Sequence, residues 1–313
     1  SGSPTADCST APSVVTPART LATKSVYCLA YAAFWYSVRN FVRIVMVSSR
    51  LWLSLPSPEN AASVAARPLP VKSAALESRI PASFREPGGH WYGFSMRARV
   101  IAYAKARVKA DEVPTYESLA EPKWKGRLCV RSSSNVYNLS LMGALIEQLG
   151  EAQAEAWAKA VRANMAREPK GGDTDQLKAV AAGECDVAIS NHYYYARLAR
   201  SAQAADRAVA EKVGIVFPNQ AGRGAHVNIS GAGVLKHAPH RDAAVRFLEY
   251  LASDDAQRYF ADGNNEWPVV PSVRVVNPVL SAFGAFKYDP INVAVLGRNQ
   301  PASQKLYDRV AWK

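Results

Sequence analysis

From residue 71 onward the sequence predicts an α/β protein of two lobes built on doubly wound, mainly parallel sheets. Three observations carry this. Short apolar runs of strand length alternate with amphipathic stretches of helical length. Glycines stand where the helical stretches stop, at Gly150 and Gly183. At 313 residues the chain is long enough to bury a full core and divide in two.

Residues 1–70 are dominated by Ser, Ala, Val, Arg and Pro, have weak periodicity, and end in the linker-like Arg67-Pro68-Leu69-Pro70. Residues 25–38 are apolar and aromatic, but Arg39 and Arg43 interrupt the stretch beyond them, so a membrane span is not expected. A signal-like or anchoring role for residues 26–55 is the lesser reading, and no signal peptide is visible. Trp91-Tyr92-Gly93-Phe94-Ser95 and Val100-Ile101-Ala102-Tyr103 read as two strands. Thr115, with Glu117 in the first turn, opens a short helix. Residues 128–131 form a strand that runs into Ser132-Ser133-Ser134-Asn135. Helices are expected over 140–149, 151–167 and 174–182.

Cys185-Asp186-Val187-Ala188-Ile189-Ser190 reads as a buried strand. Asn191-His192 is a turn-like pair with His192 at the surface, and Tyr193-Tyr194-Tyr195 mark the start of a helix over 195–210. Strands come next at 213–218 and at Ile229-Ser230-Gly231-Ala232-Gly233-Val234, whose glycines permit close backbone approach. Amphipathic helices over 241–251 and 254–261 precede the extended Trp267-Pro268-Val269-Val270-Pro271. The carboxy-terminal helical stretch is expected to pack across both lobes. No internal repeat is present.

The net charge is +12, but the basic residues are scattered with no run of four. No RNA-binding, zinc-finger or homeodomain pattern appears, so the charge reads as general surface character and no nucleic-acid partner is expected. The cysteines are Cys8, Cys28, Cys129 and Cys185, with no C-x-x-C pair. Cys129 and Cys185 lie in buried strands that could be neighbours; a disulfide and two buried thiols are equally open readings. G-x-S-x-G, H-E-x-x-H and P-loop patterns are absent, which argues against an enzyme.

The tyrosine triplet is the chemical signal. Strand ends in open α/β sheets are where ligands sit. A free phenol titrates near pH ~10, yet a hard, highly charged cation can displace that proton and take the oxygen as a ligand. Tyr137 lies just past the Ser132–Asn135 loop, 56 residues before Tyr193. If their strands are neighbours, Tyr137, Tyr193 and Tyr194 converge and three phenolates neutralise Fe³⁺. Ser132 and Ser133, in a loop that opens a helix, and Arg97 or Arg99 would hold a small anion such as carbonate. Read from chemistry alone, packing of aromatic rings and ordinary helix capping are the competing account.

Five strings carry a resemblance. They are Trp91-Tyr92-Gly93-Phe94-Ser95-Met96-Arg97-Ala98-Arg99-Val100, the stretch from Trp124 through Ser132-Ser133-Ser134-Asn135-Val136-Tyr137-Asn138, Gly171-Gly172-Asp173-Thr174-Asp175-Gln176, Ala181 through Ile189, and Asn191-His192-Tyr193-Tyr194. In this order, and with Asn265-Glu266-Trp267-Pro268-Val269, the chain from about Val71 to its end resembles the periplasmic ferric-ion-binding proteins. These are the substrate-binding components of ABC-type iron importers. The resemblance implies a type II periplasmic substrate-binding fold with a hinge and an interdomain cleft. It implies Tyr137, Tyr193 and Tyr194 as Fe(III) ligands. It implies Arg97, with Ser132 and Ser133, at a synergistic carbonate, bicarbonate or other anion. Asn135, Asn191 and Tyr195 would stand beside the ligands rather than among them.

It further implies a non-catalytic monomer in the periplasm of a Gram-negative bacterium, handing ferric ion to an ABC permease of the inner membrane. The expected organisation is an atypical first part of lobe 1 over 1–70, the rest of lobe 1 and the hinge strand over 71–103, lobe 2 with the tyrosines over 104–230, and a return to lobe 1 with terminal helices over 231–313. The family's early histidine-tyrosine pair has no counterpart here: no His precedes His90, and Tyr27, Tyr31 and Tyr36 fit no family segment. A binding protein for another solute, such as phosphate, sulfate or a polyamine, is the alternative.

Overall fold

The computed structural model describes residues 44–47 and 68–313, all within the unit Ile44–Lys313. Tyr27, Tyr31, Tyr36, Cys8, Cys28 and most of residues 26–55 lie outside the described residues. Among the described residues, no helix is long and apolar enough to cross a membrane.

The organising element is one strand where two were expected. β3 (Tyr92–Ala104) runs unbroken through thirteen residues. The polar Arg97-Ala98-Arg99 interior does not end it, because both guanidinium groups find buried carboxylates. Its first half pairs with β7 (Val227–Leu235) and β8 (Trp267–Pro268), and its second half with β5 (Val187–Asn191) and β6 (Val213–Val216). The partner changes within one step: Ala98 faces Val227, and Arg99 faces Asn191.

The sheet is mixed rather than parallel throughout. All four ladders of β3 are antiparallel, whereas β4 (Leu128–Cys129) and β5 run parallel. β1 (Ile44–Val47) and β2 (Pro68–Leu69) both pair antiparallel with β7. The stretch expected as a linker thus contributes a two-residue strand at the sheet's margin, where proline is tolerated. The glycines of β7 do permit close approach: a Cβ at Gly233 would fall 2.3 Å from the His90 carbonyl oxygen.

Around the second half of β3, helices cover both faces. α1 (Ala74–Arg79) precedes β3, and its first turn is capped by the Ser73 hydroxyl. After β4 come α2 (Val136–Leu149), α3 (Glu151–Ala163) and α4 (Asp173–Ala182). After β5 come α5 (His192–Ala199) and α6 (Ala204–Lys212). Strand alternation sorts the core. Ile101, Leu128, Val130, Val187 and Ile189 pack with α2 and α3, while Ala102, Ala104, Cys129 and Ala188 pack with α4, α5 and α6. Bulky residues thus fill one side, and small ones bring the other helix layer close. Each buried Leu or Ile there contributes about 1.5–3 kcal/mol.

The helix expected over 195–210 is two helices. Ser201 Oγ accepts from Gln203 N and donates to Asp206, a local turn that competes with the helical ladder. Cys129 and Cys185 form a disulfide, with Cα atoms 5.8 Å apart.

The chain continues through α7 (Arg241–Leu251), α8 (Asp254–Asn264) and α9 (Pro278–Ala282) to α10 (Ala294–Arg309). Just before α10, Val293 N donates to Ser83 O and Asn292 Nδ2 to Ala82 O. At its far end, Tyr307 Oη donates to Asn138 O (3.0 Å) and, just beyond it, Trp312 Nε1 donates to Arg131 O (3.2 Å). The carboxy-terminal helix and the residues just past it therefore reach from the segment before β3 to the start of α2, which bears Tyr137.

Candidate functional site

The parallel β4–β5 pair explains why distant tyrosines meet. Leu128 pairs with Val187 and Cys129 with Ala188, so both strands leave the sheet at the same edge. Each then turns into a helix: α2, capped by the Asn135 side chain on Tyr137 N (3.0 Å), and α5, which begins at His192. The result places the Tyr137 hydroxyl 3.0 Å from the Tyr193 hydroxyl. The Tyr194 ring lies against the Tyr193 ring, with centroids 4.2 Å apart. Tyr193 is buried, whereas Tyr137 and Tyr194 are partly buried, so the cluster reaches the surface through these two.

Burial pushes the Tyr193 phenol well above its ordinary range, and the neighbouring Tyr137 and Tyr194 oxygens push it further. Burial also raises Tyr194, against a lowering hydrogen bond from Tyr193. Without a cation, then, these two phenols keep their protons. Among the described residues, no group of three or more His, Cys, Asp or Glu side chains is placed to hold a metal ion.

Arg97 lies beside the cluster. Its Nη1 donates toward the Tyr137 hydroxyl (3.5 Å), and its Nε faces Glu266 Oε1 at 3.3 Å. Burial disfavours the charge, but Glu266, Tyr137 and Tyr193 outweigh it and raise the guanidinium pKa. Ser95 Oγ donates to the other oxygen of Glu266. Arg197 stands over the Tyr193 and Tyr194 rings, 5.6 and 5.5 Å from their centroids.

Arg99, the other candidate for an anion, is already committed. It is 1 % exposed and donates to Asp173 Oδ2 (2.5 Å), Asn191 Oδ1 (3.2 Å) and Asn138 Oδ1 (2.7 Å). A carboxylate of the chain itself holds the place an outside anion was expected to take. Ser132 Oγ pairs with Ser134 Oγ (2.9 Å) inside its own loop, and Ser133 is buried. Asn135, not the serines, caps α2.

His192 is not at the surface. It is fully buried, its Nδ1 accepts from Ala98 N (3.1 Å), and Phe217, Trp267 and Phe283 surround its ring. Burial lowers its pKa to about 4, so the imidazole is neutral and can accept that bond. Tyr195 turns away from the other two tyrosines: its hydroxyl donates to Ala210 O (3.2 Å) and its ring packs on Phe283. Neighbouring helical positions point to different faces, so a triplet cannot converge as a whole.

Three residues of the site are not singled out by the sequence: Asp173, Asn138 and Glu266. A signal for two of them was present. Two arginines inside a largely apolar strand demand buried acids, and the strings around Asp173 and Glu266 both supply acidic residues.

Residues 69–285 match the family model described as bacterial extracellular solute-binding protein. The chain is 55% identical over 246 residues to iron uptake protein A2 of Synechocystis sp., covering 78% of this chain and 71% of the relative. Apo FutA2 from Synechocystis superposes with a TM-score of 0.77 at 55% identity, covering 79% of each chain. The Trichodesmium protein IdiA (FutA), solved with iron and citrate ligands, superposes with a TM-score of 0.79 at 52% identity, covering 85% of this chain and 81% of that one.

Proposed function

This chain belongs to the bacterial extracellular solute-binding protein family, and from that membership we propose that its cargo is ferric ion, bound by Tyr137, Tyr193 and Tyr194. The observation that carries the reading is the 3.0 Å approach of the Tyr137 and Tyr193 hydroxyls, with the Tyr194 ring against that of Tyr193. The names of the relatives supply the ion: one is an iron uptake protein, and another was solved with iron and citrate. Phenol oxygens suit a small trivalent cation, which pulls off their protons and binds the phenolates. Three such charges cancel those of the ion and leave coordination positions open.

A synergistic anion fills those positions. Arg97 is its anchor, helped by the Ser132–Ser133 backbone, and carbonate or a small carboxylate such as citrate fits that role. The two halves of the sheet on β3 act as two lobes that close over the ion, with residues 99–104 and the β4–β6 strands in the lobe that bears the tyrosines. The protein works as a monomer in the periplasm, turns nothing over, and passes the ion to an ABC permease. Release accompanies protonation of the phenolates, loss of the anion, or reduction to Fe²⁺, which has less need of anionic oxygen.

Titration of purified protein with ferric nitrilotriacetate tests the reading. One iron per chain and a visible phenolate-to-iron charge-transfer band are expected. Protein that takes up no iron, or takes it up without colour, sinks the assignment.

A further inference from the structure

We propose that Asp173 is the positioning residue that sets both tyrosine arms at once, an inference that rests on reading Tyr137, Tyr193 and Tyr194 as the iron donors. Asp173 opens α4 and is 0 % exposed. Its carboxylate gathers three separate stretches of chain. Oδ2 accepts from Arg99 Nη1 (2.5 Å) and from the backbone N–H of Asn191 (2.7 Å), and Oδ1 accepts from Arg131 Nη1 (3.0 Å).

The first arm is that of Tyr137. The guanidinium carbons of Arg99 and Arg131 lie 5.7 and 5.6 Å from the centre of its ring. Both are held by the one carboxylate. The loop is tied to the same centre: Asn138 Oδ1 accepts from Arg99 Nη2, and Asn138 Nδ2 donates to the carbonyls of Arg131 and Ser132, each at 3.0 Å. Cations beside an aromatic ring stabilise it modestly when it is neutral and more when it carries phenolate charge.

The second arm is that of Tyr193 and Tyr194. Asn191 ends β5 and stands at the cap position just before α5, and its N–H is fixed by Asp173. The tyrosines occupy the second and third positions of that helix, so the direction of both phenols is set from this point.

Asp173 also settles the charge. Arg99 and Arg131 next to an incoming trivalent cation would repel it. A buried carboxylate between them offsets that repulsion without occupying the metal's own coordination sphere. Asp173 thus stands outside the metal's own ligands and behind the donors of both arms, and changes at such partners typically cost about 10–100-fold in metal affinity.

The experiment compares ferric nitrilotriacetate titrations of wild type, Asp173→Asn, Arg131→Gln and Arg131→Lys, reading affinity and the charge-transfer band per bound iron, with circular dichroism and melting as fold checks. Asp173→Asn is expected to bind about 10–100-fold more weakly and to shift or weaken the band. Adding Tyr137→Phe to Asp173→Asn should cost less than it costs alone, because part of the Asp173 effect runs through the Tyr137 arm. A folded Asp173→Asn with an unchanged band overturns the proposal, whether its affinity falls or not. Should Asp173→Asn fail to fold, Arg131→Gln decides: a shifted band that Arg131→Lys restores supports the proposal, and an unchanged band overturns it. A wild type that binds iron without the band removes the parent reading instead, a result distinct from any of these.

Discussion

The hydroxyl oxygens of Tyr137 and Tyr193 stand 3.0 Å apart across 56 residues of chain. The same spacing separates Cys129 from Cys185, which the disulfide joins. Both pairs join the chain around the parallel strands β4 and β5: Cys129 closes β4 and Cys185 stands two residues before β5, whereas the tyrosines lie beyond the strands' ends. Two phenols held this close hydrogen-bond while neutral and repel once ionised, so only a strong cation holds them both as anions.

Tyr193→Phe and Tyr194→Phe are each expected to weaken the charge-transfer band strongly, the remaining phenolates keeping some of it, and to lose more affinity than the about 10–100-fold typical of outer partners. Tyr195→Phe is expected to keep both, since its hydroxyl bonds to Ala210 O. Iron titration of the three variants side by side checks this. A colourless Tyr195→Phe variant would contradict the placement of that ring.

Iron uptake is expected to release protons. The Tyr193 and Tyr194 phenols are both raised by burial, so each gives up its proton only when the metal binds. Affinity must therefore climb with pH and decline in acid, by about tenfold per pH unit for each proton displaced. Proton release measured in weakly buffered solution, alongside Kd at several pH values, gives the number directly.

Arg97→Lys keeps the charge beside Glu266 but removes the planar fork. Iron binding by the variant is expected to become insensitive to added bicarbonate or citrate, while wild type responds to at least one of them. Equal responses in both proteins would move the anion elsewhere.

The fold itself is expected to weaken in mild acid. Burial lowers His226 from 6.5 to about 3 and His192 to about 4, so the unfolded chain binds protons that the native one refuses. Stability is then fully present above pH 6.5 and falls as pH drops, toward about 4 for His192 and about 3 for His226. Carboxylates with lowered values, such as Asp186 and Glu117, lose their contribution only at lower pH. Melting temperature tracked from pH 7.5 to 5 should drop in wild type and less in His226→Gln. The variant retains a polar group to face Ser140 Oγ, which lies 2.7 Å from His226 Nε2.

Cys129→Ser with Cys185→Ser is expected to cost about 2–4 kcal/mol of stability, since the bridge closes a loop of 56 residues in the unfolded chain. Denaturant unfolding with and without reductant measures it. Iron stoichiometry should survive, because the two cysteines pack on the α4–α6 side of the sheet.

Much of the site was legible because it depends on strand ends. The apolar runs at 128–131 and 185–190 announced two buried strands, with tyrosines just past each of them. The unbroken β3 was not legible, because Arg97 and Arg99 look like the solvent face of a strand until their acids are located far along the chain. His192 was misplaced for a related reason. A histidine after an asparagine reads as a turn, and only the tertiary bond to Ala98 N with the surrounding rings buries it. Asp173 in a first helical turn looks like a partner of the helix dipole, whereas its real partners lie 74, 42 and 18 residues away.

The change of partners along β3 has a mechanical consequence. Ala98 faces Val227 and Arg99 faces Asn191, so a swing of one half upon the other is a twist about a fulcrum one or two peptide units long. Arg97 stands on one side of that fulcrum, and Tyr193 and Tyr194, just past Asn191, on the other. On the proposed reading, opening at this point would part the phenols from the guanidinium while each half keeps its own hydrogen bonds.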